Sequence, residues 1–93
     1  MRVEPDAITL LSRALRASAH GAGLRIELSD ARSRPWSSAT FDGERIELNL
    51  TADGAAQGWL AGLGEADLPM RGWFVADLEL RGVELRALML RAA

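Results

Sequence analysis

Apolar residues recur in two different rhythms along this chain, and the changes of rhythm outline a fold. From Pro5 to Ala19, Ile8, Leu11, Leu15 and Ala19 recur at helical spacing with Ala7 and Ala14 beside them, while Arg13 and Arg16 fall off that stripe. An apolar stripe of this kind predicts an amphipathic helix laid on a core. His20 and Gly21 then supply a stop signal.

Leu24 to Ser29 switches to strict alternation, with Leu24, Ile26 and Leu28 on one face and Arg25, Glu27 and Ser29 on the other. Ile46, Leu48 and Leu50 alternate with Arg45, Glu47 and Asn49 in the same way. Both stretches predict half-buried strands. Between them Trp36 to Phe41 is a further strand candidate, and Asp42-Gly43 reads as the hairpin turn that follows it. After an N-cap at Thr51 or Asp53, a second helix is expected over about residues 54 to 63, with Ala55, Trp59, Leu60 and Leu63 toward the core. Gly54, Gly58 and Gly62 weaken its intrinsic propensity, so packing has to hold it.

Trp73 to Leu90 carries the clearest pairing. A two-residue loop at Arg81-Gly82 sets Leu80 against Val83, Leu78 against Leu85, Ala76 against Ala87 and Phe74 against Met89 on one face. On the other face it sets Glu79 against Glu84, Asp77 against Arg86, Val75 against Leu88 and Trp73 against Leu90. The element order is therefore α-β-β-β-α-β-β, one α+β domain over residues 1-93 with an antiparallel sheet and two helices packed on one face.

Two helices cover only one side of such a sheet. Trp73, Val75, Leu88 and Leu90 would then form an apolar patch on the other side, on the order of a few hundred Å², the size at which exposed patches mark interaction surfaces. The expectation is a homodimer whose sheets meet face to face, or a protein partner seated on the same face.

Trp36 is the ambiguous residue. A two-residue Asp42-Gly43 loop turns it to the polar face near Arg34, whereas a three-residue loop of Phe41, Asp42 and Gly43 turns it to the core. The outward arrangement opens an alternative function, a small-molecule domain in which Arg34, Trp36 and Arg71 line a pocket for an anionic or aromatic ligand by charge and stacking.

Composition narrows the function classes. The chain has 93 residues, 48% hydrophobic and 26% charged, an ordinary balance for a soluble chain with a single core. No apolar run is long enough to span a bilayer, and the N-terminus lacks the basic-then-apolar order of a secretion signal, so a cytoplasmic protein without membrane attachment is expected. A net charge of -2 argues against nucleic acid as the partner.

Cysteine and lysine are both absent, which excludes disulfides, thiol nucleophiles and lysine Schiff bases. His20 is the single histidine, at an expected helix end, and no cysteine or second histidine accompanies it as a metal ligand. Ser37, Ser38 and Thr40 lack an evident base. Glu27 and Glu47 could form an acid-base pair, but Arg25 and Arg45 beside them make a solvated ionic face the simpler account. No catalytic residue, metal or cofactor is assigned, and a non-catalytic interaction domain is the leading expectation.

Overall fold

A carboxylate starts the first helix. In the computed structural model, which describes residues 6-53 and 55-92, Asp6 caps helix α1 (Ala7–Gly21) by accepting a 2.8 Å hydrogen bond at Oδ1 from the Thr9 backbone N–H. This bond to the ionised form holds the Asp6 carboxyl below the usual carboxylate range. Two strands follow, β1 (Ile26–Ser37) and β2 (Asp42–Ala52), then a short helix α2 (Gln57–Ala61) with a single 3-10 turn at Leu63–Glu65, and finally β3 (Trp73–Arg81) and β4 (Glu84–Arg91). The strands form one antiparallel sheet in the order β1-β2-β4-β3, so the fold is α+β. Pro5 and Gly54, assigned to the two helices from the sequence, lie outside the described residues.

The core lies between the helices and one face of the sheet. Ala7, Leu11, Leu15 and Ala19 of α1 are buried together with Ile46, Leu48 and Leu50 of β2 and Leu85, Ala87 and Met89 of β4. Trp59 of α2 packs against this cluster and donates its indole Nε1–H to Ser18 Oγ of α1 at 2.9 Å, which ties the two helices together. Gly58 has open space where a side chain would be, so no close backbone approach requires glycine there.

The sheet has four strands where the periodicity predicts five. Ile26 to Ser29 of the first candidate and Trp36 and Ser37 of the second belong to one long strand, β1, interrupted by a bulge, while Ser38 to Phe41 leave the strand. Ser29 pairs with Asn49 and Arg32 with Glu47, so Asp30 and Ala31 together oppose Leu48. Asp30 takes the left-handed conformation, φ 52°, and its Oδ2 accepts from Asn49 Nδ2 at 3.1 Å. One extra residue reverses the alternation, and this is why no single period-two pattern runs through the stretch.

The turn between β1 and β2 is also displaced. It is made by Ser38 to Phe41, with Ser38 N–H donating to the Phe41 carbonyl at 2.8 Å and Ser38 Oγ accepting from the Thr40 and Phe41 N–H groups at 3.2 and 3.0 Å. Asp42 and Gly43 are paired strand residues, opposite Ser37 and Trp36. Gly43 is required there by close approach: a Cβ on it would stand 2.0 Å from the Met89 carbonyl oxygen of β4. Glycine inside a strand marks such an approach as readily as a turn. Neither hairpin register expected for Asp42-Gly43 occurs.

In the second hairpin the loop residues are Gly82 and Val83 instead of the expected Arg81 and Gly82, with Gly82 at φ 60° and Val83 exposed, so Arg81 pairs with Glu84, Leu80 with Leu85 and Leu78 with Ala87 in place of the expected partners. A bulge at Ala76 then shifts the register between Val75/Met89 and Asp77/Leu88. Beyond it the strand's alternation is inverted relative to the expectation. Trp73, 8% exposed, and Val75 join the core, whereas Phe74, expected inside, is 39% exposed on the uncovered side.

Candidate functional site

Since Ile46, Leu48, Leu50, Leu85, Ala87 and Met89 face the helices, the alternate residues of β2 and β4 project from the bare side of the sheet. Cross-strand partners share a face, so the register reads off what this side presents. One row across all four strands contains Trp36, Gly43, Leu90 and Phe74. The next contains Arg34, Arg45, Leu88 and Asp77, and the third Arg32, Glu47, Arg86 and Glu79. The last contains Ser29, Asn49, Glu84 and Arg81, with the bulged Asp30 bonded to Asn49.

The apolar end is built around the glycine. Leu90 is only 6% exposed although it lies on the bare side, because its side chain occupies the space above Gly43, with Cδ2 2.8 Å from where a Cβ would stand. Phe41 and Phe74 meet edge to face, with ring centroids 6.0 Å apart and planes at 80°, and they remain 40% and 39% exposed. Trp36 is half-buried in the same row.

The remainder of the face is ionic. Glu47 lies 3.4 Å from Arg32 and 3.7 Å from Arg34, and Glu79 with Arg81 and Glu84 with Arg86 form close pairs at 2.6 and 2.7 Å. The bonded Glu84 carboxylate raises the Arg86 pKa above its usual value. Arg45 and Asp77 have no ion-pair partner among the described residues. Arg34 and Arg45 are direct cross-strand partners, an arrangement of like charges that costs a sheet stability. Arg34, Arg45, Glu47, Asp77, Glu79, Arg86 and Leu88 line a shallow hollow of about 240 Å³ over the middle of the face.

The structure separates the four residues expected to form one patch. Leu88 and Leu90 are on the bare face, while Trp73 and Val75 belong to the core side, where the Arg91 guanidinium stacks 4.5 Å from the Trp73 ring centroid. Phe41 and Phe74 take their place beside Leu90. Of the three residues proposed for a ligand pocket, Arg34 and Trp36 share the bare face, but Arg71 lies in the turn leading into β3, at the edge of the sheet opposite β1. The three do not converge.

Glu27 pairs with Thr51, four residues along β2 from Glu47 and so about 13 Å away by strand rise; these carboxylates make no pair. His20 is exposed in the last turn of α1. Among the described residues no polar or charged side chain is buried, and no cluster of His, Cys, Asp or Glu is arranged to hold a metal ion. No described helix is long and apolar enough to cross a membrane. Comparisons with protein families, curated proteins and solved structures return no match.

Proposed function

We propose that this chain is a non-catalytic interaction domain that works by self-association through the bare face of its sheet. One observation carries this. A row of Trp36, Leu90 and Phe74, extended by Phe41, crosses the face, and its phenylalanines keep about two-fifths of their surface in water although the helix-covered core lies just behind them. Rings held rigid by strands on a flat surface are what protein interfaces use as anchors, with charged residues around them as a rim. The bare face has this composition, apolar at one end and ionic over the rest.

The test is the solution mass of the chain by light scattering, from micromolar to near-millimolar concentration, for the wild type and for Phe74→Arg. Mass is expected to rise to that of a dimer in the wild type and to stay monomeric in the variant, with circular dichroism unchanged because Phe74 is not a core residue. A wild type that remains monomeric throughout overturns the proposal.

Binding of a small anion is the second function, favoured by the opposed Arg34 and Arg45 with Trp36 next along β1. An anionic group over the two guanidiniums would relieve their repulsion. A rise in melting temperature with an aromatic carboxylate or phosphate, lost in Arg45→Ala, supports it; no shift with either probe removes it.

A further inference from the structure

The charges on the bare face are not mixed at random. Edge strand β1 presents Arg32 and Arg34, and the opposite edge strand β3 presents Asp77 and Glu79 in the same two rows. Between them, in the row of Arg32, Glu47 and Arg86 continue the alternation, so the row runs plus, minus, plus, minus across the sheet. A surface with that pattern is complementary to itself after a half-turn.

Two identical faces can meet about a two-fold axis lying between them. If the axis runs along the strands, β1 lies over the partner's β3 and β2 over the partner's β4, with each row over its own copy. Arg32 is then opposite the partner's Glu79, Glu47 opposite the partner's Arg86, and Arg34 opposite the partner's Asp77. In the apolar row Trp36 comes opposite the partner's Phe74 and Gly43 opposite the partner's Leu90. In these three rows only Arg45, which comes opposite the partner's Leu88, meets neither an unlike charge nor an apolar position matched to its own.

If the axis instead runs across the strands, β1 lies over the partner's β1. Its arginines then face arginines, and the carboxylates of β3 face carboxylates. Like-charge juxtaposition of this kind is what excludes wrong arrangements at an interface. We infer that the chain pairs with a second copy of itself about a two-fold axis parallel to the strands, in an aligned face-to-face sandwich whose alignment is set by Arg32 and Arg34 of β1 against Glu79 and Asp77 of the partner's β3. This rests on the bare face being the self-association surface.

The geometry is compatible with side-chain reach. Facing sheets in aligned sandwiches stand about 10 Å apart, a gap that an arginine and a carboxylate side chain span together. Asp77, which has no ion pair within its own chain among the described residues, gains one in Arg34 of the partner subunit, and the anion that the opposed Arg34 and Arg45 call for is supplied by the same carboxylate.

The experiment compares the dimer dissociation constants, by sedimentation, of the wild type, Arg34→Asp, Asp77→Arg and the double variant that carries both. Both positions are exposed, so the fold is retained. Each single variant is expected to weaken the dimer by about tenfold or more, and the double variant to restore it to within about threefold of wild type, because each exchanged pair then faces its complement. Raising salt should weaken the wild-type dimer in step with screening of these pairs. A wild type that dimerises while Arg34→Asp leaves its affinity unchanged overturns the alignment but leaves self-association standing. A monomeric wild type removes the underlying proposal and this one together.

Discussion

Leu90 occupies the space above Gly43: its Cδ2 is 2.8 Å from the point where a Cβ on that glycine would be, and the Met89 carbonyl oxygen is 2.0 Å from the same point. A methyl group cannot enter there unless strand β4 moves. Gly43→Ala is therefore expected to destabilise the chain by about 1–3 kcal/mol or more, through overpacking against backbone, and to perturb the apolar row on the bare face. Chemical denaturation checks this; a loss within about 0.5 kcal/mol would mean that β2 and β4 are spaced more widely than the structure has them.

Trp73 and Trp36 should respond in opposite ways to truncation. Trp73 is 8% exposed and part of the core, so Trp73→Ala is expected to cost about 3–5 kcal/mol, most of what a chain of this length has. Trp36 is half-buried on an edge strand, and Trp36→Ala should leave a folded protein with impaired association. Thermal melts with parallel mass measurements separate the two.

Asp6 supplies a pH-dependent cap. Its carboxyl is held below its usual range by the Thr9 backbone N–H, so the contribution is present above the unfolded carboxylate's pKa and is lost as pH falls through the folded value. Asp6→Ala should cost about 0.5–2 kcal/mol at neutral pH, typical of a lost N-cap. The difference between variant and wild type should shrink below about pH 4, which melts at neutral and acidic pH would reveal.

The hydrogen bond from Trp59 Nε1 to Ser18 Oγ is the polar tie between the helices. Ser18→Ala should destabilise by about 0.5–1.5 kcal/mol and selectively loosen α2. Faster amide exchange in Gln57–Ala61 than in α1 is the signature to look for.

Where alternation ran unbroken, the sequence was a sufficient guide. Ile46, Leu48 and Leu50 are buried as their spacing predicts, as are Leu11, Leu15 and Ala19 on the helix stripe. It misled at Asp30 and Ala76, because a bulge inserts one residue and inverts the faces beyond it, and composition contains no strong signal for where that happens. The candidate patch suffered most. Trp73 and Val75 precede Asp77 at perfect period-two spacing and would share its face in a regular strand; one extra residue at Ala76 sent them to the core and brought Phe74 out in their place. Asp42-Gly43 misled for a different reason, since glycine was needed for proximity to β4 and not for a turn.

The sequence by itself determined the α+β class with an antiparallel sheet, the identity of most core residues and the exclusion of thiol and lysine chemistry, because each depends on residue type or on local period alone. Only the tertiary structure decided which aromatic residues face water, and that Arg32 and Arg34 stand in the same rows as Glu79 and Asp77 across the sheet. Both depend on register, and register is settled by how β2 and β4 pack against each other and against α1, a long-range fit that no local pattern contains.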